Sequence, residues 1–129
     1  MTSLKKILTA TAVCLPFFLL SQVSIAGDWQ STIPMEDGST LPFLVSISED
    51  GSYIVDFAID GTADVKGKME MEGEDMISMV DQETDAFECK DVKGFYRFKQ
   101  EKDTLIMERV EDPCPGRGGP GKMEFTRRK

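Results

Sequence analysis

The chain has 129 residues, and its 15 basic and 23 acidic side chains give a formal net charge of −8 at pH 7. It contains no histidine and no asparagine, which excludes histidine-based acid–base catalysis, histidine metal ligands and N-linked glycosylation. The acidic balance disfavours nucleic acid and anionic membranes as partners, because like charges repel. We therefore expect a protein without enzymatic activity and without a cofactor.

Residues 1–26 have the features of a secretory signal peptide. They contain no acid, and they carry two lysines, an apolar stretch and a small-residue pattern: Lys5, Lys6, residues 7–20 and residues 24–26. The apolar stretch is too short to cross about 30 Å of hydrocarbon. We predict cleavage after Ala26, a periplasmic or secreted location, and a mature form with no membrane span. What remains is a single domain, residues 27–129, whose 103 residues include 13 basic and 23 acidic side chains, for a formal charge of −10.

Two of the three cysteines, Cys89 and Cys114, remain in the mature chain. An even pair in an oxidising compartment most simply forms one disulfide. Closing a loop between residues 25 positions apart stabilises the fold by about 3.5 kcal/mol in the chain-entropy description. No CxxC spacing or basic cluster supports a reactive or metal-binding thiol instead.

From Trp29 onward, apolar and polar residues alternate with period two, and acidic turns containing glycine interrupt the alternation. This pattern predicts short β-strands and no helix. The eight predicted strands are Trp29 to Ile33, Leu41 to Ile47, Tyr53 to Ile59, Asp64 to Met71, Met76 to Val80, Gly94 to Lys99, Thr104 to Val110 and Lys122 to Arg128.

Eight short strands joined consecutively predict an eight-stranded antiparallel up-and-down β-barrel. A membrane barrel is disfavoured, because Lys66, Lys68, Arg97 and Lys99 lie on outward faces where lipid requires apolar residues. The long links after the first, fifth and seventh strands are expected to share one rim with both cysteines. Asp60-Gly61 is predicted to form a tight hairpin, whose short length breaks the alternation of long and short links.

Gly27-Asp28-Trp29 and Arg127 carry a resemblance to a known family. The first motif matches the G-x-W that opens the first strand of calycins, the lipocalin-like small barrels. Arg127, in the last strand, matches the basic residue that packs across that tryptophan. The resemblance implies a barrel with a ligand site at one end. The chain is much shorter than true lipocalins and lacks the helix after their last strand, so their ligand capacity does not transfer with the resemblance.

The barrel interior near the long-loop rim is the first candidate site, because barrel mouths commonly bind small molecules. Arg109 has two expected roles: pairing with a ligand carboxylate or forming a salt bridge with a neighbouring acid. Bulky side chains that fill the interior are an equal alternative to a cavity. If a cavity exists, we expect it to bind a small apolar or amphipathic ligand. The candidate ligand-binding residues are Phe43, Tyr53, Phe57, Tyr96, Phe98, Met107 and Arg109.

The glycine- and proline-rich segment Pro113 to Gly121 is the second candidate site, and we expect it to expose Arg117. Exposed loops on a rigid scaffold often carry binding functions. Small exported barrels with one disulfide also resemble periplasmic inhibitors of proteases or lysozyme. The alternative function is therefore a protein-binding module or hydrolase inhibitor, with an exported protein as partner.

Two further patterns are weak metal signals, and we predict no metal site. The methionines of one hairpin have spacings that suit Cu(I), although methionine on a core face is an ordinary gap filler; they are Met69, Met71, Met76 and Met79. The acidic turns at residues 49–51 and 60–64 lack the ligand spacing of a calcium loop.

Overall fold

Eight antiparallel strands pair in chain order, and the first strand also pairs with the last, so that the sheet closes into a barrel. The computed structural model describes residues 23–84 and 89–129. The predicted fold class is confirmed. The strands are β1 (Gly27–Pro34), β2 (Thr40–Ile47), β3 (Ser52–Phe57), β4 (Val65–Met71), β5 (Met76–Thr84), β6 (Lys93–Glu101), β7 (Thr104–Glu111) and β8 (Lys122–Arg127).

Period-two alternation decides which side chains face the interior, because successive residues of a strand point to opposite faces of the sheet. In β2, Phe43, Val45 and Ile47 are buried, and in β7 Leu105 and Met107 are buried. Most of the signal peptide predicted for residues 1–26 lies outside the described residues. No helix in the described ranges is long and apolar enough to cross a membrane.

The link between β3 and β4 differs from the predicted tight hairpin. The strand stops at Phe57, and the chain then turns through Ala58 and Ile59, which have positive φ angles of 67° and 50°. The Asp56 carboxylate accepts hydrogen bonds from the amides of Asp60 and Gly61 in this link. The prediction that Ile59 ends the strand was wrong, because side-chain hydrogen bonds to the backbone compete with strand pairing here.

This longer link gives the barrel two distinct ends. The links that follow β1, β3, β5 and β7 start at what we call the open end, and their described residues are 35–39, 58–64, 89–92 and 112–121. The tight links 48–51, 72–75 and 102–103 lie at the closed end. Long and short links therefore alternate without exception, as an up-and-down barrel requires.

Trp29 is fully buried at the closed end. The guanidinium carbon of Arg127 lies 4.3 Å from its ring centroid, which is the packing expected from the sequence. Trp29 Nε1 donates a hydrogen bond of 2.9 Å to the carbonyl oxygen of Ile25. Val23 and Ile25 are themselves buried in the core, so cleavage after Ala26 would remove core residues. That cleavage stays a prediction.

The disulfide between Cys89 and Cys114 is present, as predicted. Its two Cα atoms are 5.5 Å apart, and both cysteines are buried. The bond joins the link after β5 to the link after β7 at the open end. It is consistent with an oxidising extracellular or periplasmic location.

Candidate functional site at the open end of the barrel

The barrel interior holds a cavity of about 110 Å³. The bulky inward side chains therefore do not fill it completely. Among the candidate residues from the sequence, Phe98 and Arg109 do not line the cavity. Those that do are Phe43, Tyr53, Phe57, Tyr96 and Met107.

Rigid aromatic side chains and flexible methionines both line the cavity. On one side the Phe43 ring lies 6.0 Å from Phe57 and 5.7 Å, edge to face, from Phe125, measured between ring centroids. Such aromatic contacts fix the ring positions. The rest of the lining includes four methionines, whose unbranched side chains adapt to different shapes: Met69, Met79, Met107 and Met123.

Residues 112–121, which we call the lid loop, fold over the open end. Gly116, Arg117, Gly118 and Gly119 of this loop line the cavity. Arg109 holds the loop in place, because its Nη2 donates hydrogen bonds to the carbonyl oxygens of Arg117 (2.9 Å) and Gly119 (3.0 Å). Arg109 thus binds the lid loop, and it forms no salt bridge with an acid of the described ranges.

Gly118 has a φ of +84° and lies against the Tyr96 ring. Glycine suits this position for two reasons: it adopts positive φ without a steric penalty, and any side chain would overlap the tyrosine.

Arg117 points into the protein and is only 5 % exposed. Its Nε lies 2.7 Å from Asp112 Oδ2, and its Nη2 lies 2.8 Å from Asp112 Oδ1, which makes the pair bidentate. Nη2 also donates to the carbonyl oxygen of Val92, and Nη1 lies 3.2 Å from Asp81 Oδ2. The expectation that the loop exposes Arg117 was wrong, because two buried carboxylates hold the guanidinium inside.

The two tyrosines of the chain complete this cluster. The Tyr53 hydroxyl donates to Asp81 Oδ1, and the Tyr96 hydroxyl donates to Asp112 Oδ2. Burial raises the pKa of both tyrosines, and the adjacent carboxylates raise it further. Gly67 permits the first contact, because a side chain there would overlap the Tyr53 ring.

Hydrogen bonds stabilise the charged forms of Asp112 and Arg117 in this cluster. Burial by itself raises the pKa of Asp112, but the hydrogen bonds from Arg117 and Tyr96 outweigh it, so that the pKa lies below its ordinary value. Burial also opposes the charge on Arg117, yet hydrogen bonding and attraction to Asp112 raise its pKa. Both residues therefore remain charged near neutral pH. A guanidinium and a carboxylate that are hydrogen-bonded in this way can both stay charged although they are buried.

Three buried polar side-chain atoms lack a hydrogen-bond partner within the described part of the chain: Asp81 Oδ2, Arg109 Nε and Arg117 Nη1. Asp81 Oδ2 and Arg117 Nη1 make no hydrogen bond there, although they lie 3.2 Å apart as an ion pair. Both residues line the apolar cavity. A buried polar atom without a hydrogen bond is costly, so beyond their ion pair Asp81 Oδ2 keeps capacity as an acceptor and Arg117 Nη1 keeps capacity as a donor.

The sequence reasoning missed Asp81 and Asp112. A signal for Asp81 exists: it has the same parity as Ile77 and Met79, and β5 extends through it to Thr84 instead of stopping at Val80. Asp112 and Arg117 follow the end of a strand, where period two gives no direction.

The weak metal signals have structural explanations. The carboxylates of Asp56, Asp60 and Asp64 lie within 4.8 Å of one another, and each accepts a backbone hydrogen bond in or beside the link 58–64. Of the four hairpin methionines, Met69 is buried in the core, and Met71 and Met79 pack against it.

No family model, curated protein or solved structure matches the chain. The likeness to calycins, which Gly27, Trp29 and Arg127 carry, therefore remains an expectation from the sequence. The functional argument rests on the cavity and the cluster above it.

Proposed function

We propose that the protein binds a small apolar molecule non-covalently inside the barrel, without chemical turnover. The observation that supports this proposal is the apolar cavity of about 110 Å³ beneath the lid loop. An empty cavity lowers stability by roughly 24 cal/mol per Å³, which is about 2–3 kcal/mol here. A ligand that fills it recovers the lost contacts.

The cavity volume sets the size of the ligand. An apolar cavity of about 150 Å³ accepts benzene or xenon, so this slightly smaller one suits a compact group of similar or smaller size. The four lining methionines allow modest expansion. The site therefore fits a small ring or the end of an alkyl chain.

The lid loop and its disulfide bear on how a ligand enters the cavity and on where the protein is located. Gly116 to Gly119 line the cavity at the open end, so a ligand that enters there passes beside the lid loop. The Cys89–Cys114 disulfide anchors that loop near one end and supports export to an oxidising compartment.

The protein-binding alternative has less support. It relied on an exposed cation in the lid loop, and Arg117 is buried. Pro113, Pro115, Gly116 and Pro120 are the exposed residues of the segment Pro113 to Gly121 left for such a contact.

Xenon and benzene test the cavity directly. We expect both to shift the NMR signals of lining residues in the unmodified protein and to raise its thermal midpoint. Val55→Phe places a ring in the cavity, because Val55 lines it, and should abolish both effects. Ile54→Phe is the matched control, since Ile54 is the next residue of β3 and is 41 % exposed. Failure of both probes to bind the unmodified protein, or equal binding by Val55→Phe, would overturn the proposal.

A further inference from the structure

We propose that the preferred ligand carries a neutral group that both donates and accepts a hydrogen bond, such as a hydroxyl, and that Asp81 and Arg117 recognise it. This inference rests on the proposed function and specifies the ligand class. The group would lie beside Asp81 Oδ2 and Arg117 Nη1, donating to the first and accepting from the second.

The two atoms form a built site because both side chains are more than nine-tenths buried: Asp81 is 2 % exposed and Arg117 is 5 % exposed. Their other polar atoms are already engaged. Asp81 Oδ1 accepts from Tyr53, and Arg117 Nε and Nη2 bind Asp112. Asp81 Oδ2 and Arg117 Nη1 are therefore one acceptor and one donor without a hydrogen bond, 3.2 Å apart, on two residues that line the cavity. A single oxygen can reach both atoms at ordinary hydrogen-bond distances.

Charge balance favours a neutral group over an ion. Among the described residues, the buried cluster at the open end contains two carboxylates, on Asp81 and Asp112, and the guanidinium of Arg117, with that of Arg109 bound to the lid loop beside it. An anionic ligand would add a third negative charge to a buried, balanced site, and a cation would add a third positive one; either is costly away from water. Arg109 Nη2 donates to the lid loop, and Arg109, although its Nε lacks a hydrogen bond, does not line the cavity. The expected pairing of Arg109 with a ligand carboxylate is thus disfavoured.

A series of ring compounds of similar size tests this inference: benzene, phenol, benzoate and benzylamine. Their Kd values for the unmodified protein are measured by calorimetry or NMR titration at neutral pH, where phenol is neutral. We expect phenol to bind at least about tenfold more tightly than benzene, because hydrogen bonds to charged groups contribute that much. Benzoate and benzylamine should bind more weakly than phenol.

The outcomes separate the two proposals. If benzene and phenol both fail to bind, the proposed function fails. If benzene binds and phenol binds no more tightly, or if benzoate or benzylamine binds best, the cavity stands and the present inference is overturned.

Asp81→Asn provides the second measurement. It keeps the shape of the side chain and removes its charge, and charge-assisted hydrogen bonds are roughly twice as strong as neutral ones. The preference for phenol over benzene should fall several-fold, with benzene binding retained. Asp103→Asn, at an exposed position in the closed end, should leave the preference unchanged. An unaltered preference in Asp81→Asn contradicts the assignment; if that variant does not fold, the ligand series on the unmodified protein decides.

Discussion

The two ends of the barrel are stabilised by different forces. At the closed end, Trp29 packs beneath Arg127 and against Ile25, and the links are tight turns. At the open end, hydrogen bonds and one ion pair join the buried side chains of Tyr53, Asp81, Tyr96, Asp112 and Arg117, and Arg109 binds the lid loop beside them. Apolar packing changes little with pH, whereas buried charges depend on every partner being present and correctly ionised. The open end should therefore be the one that responds to charge removal and to pH.

Removing the central cation is the largest expected effect. Arg117→Met leaves Asp81 and Asp112 buried without their partner, and breaking a buried pair in this way costs about 3–5 kcal/mol. Urea denaturation measures the change in the free energy of unfolding. Arg97→Met is the matched control, since Arg97 pairs with Asp75 on the surface, where such pairs contribute at most about 1 kcal/mol. Similar losses in the two variants would contradict the distinction.

Shortening the chain tests the closed end. A protein that begins at Gly27 lacks Val23 and Ile25, and we expect it to be less stable than one that begins at Val23 by about 3 kcal/mol, the lower end for burying two such side chains. Thermal and urea unfolding of the two proteins give the comparison.

Point variants in the longer protein locate the cause of that loss. Ile25→Ser should reproduce about half of it, while Ser24→Ala, at an exposed position, should change stability by no more than about 0.5 kcal/mol. Equal stability of the two lengths would show that Val23 and Ile25 do not hold the closed end. The intact mass of the exported protein then tests the predicted cleavage after Ala26.

Alkaline pH gives the smallest and most selective effect. Tyr53 and Tyr96 are the only tyrosines, and their pKa values are raised above the ordinary 10.0. A raised pKa means that the folded state keeps the proton longer than the unfolded state does. Stability is therefore full below about pH 10 and falls as the pH rises through that value toward the folded-state pKa.

Ultraviolet absorbance of tyrosinate, recorded with circular dichroism, follows this titration. We expect no tyrosinate in the folded protein slightly above pH 10 and its appearance together with unfolding. Tyr53→Phe should reduce the dependence of stability on pH in this range. Tyrosinate forming near pH 10 in a protein that stays folded would show that the cluster does not shield the two hydroxyls.

Much of the architecture could be predicted because its signals are local. Alternation in residues 41–47 and 104–110 predicts both the strands and their inward faces. The Cys89–Cys114 bond followed from an even cysteine pair. The exception, at residues 57–59, has a local cause that hydropathy does not show: Asp56 and Asp64 accept hydrogen bonds from backbone amides and end the strand early.

The candidate site was harder to predict because its parts are far apart in sequence. Asp81 lies 36 positions before Arg117, and only closure of the barrel brings their side chains to 3.2 Å. Asp81 and Asp112 hold the Arg117 side chain so that it points inward. The lid loop that carries Arg117 has no hydrophobic periodicity from which this orientation could be predicted.

The sequence by itself determined an all-β barrel, its inward aromatic residues and its disulfide, because a period of two and a cysteine count are properties of the chain. The tertiary structure decided that Arg117 is buried, that the four long links share one end, and that a cavity of about 110 Å³ remains. Such a cavity is the small difference between the space that eight strands enclose and the volume of many side chains. The cavity has a polar end because folding buries Asp81 and Arg117 next to each other. Each of these charges is stable in the interior only when its partner is present.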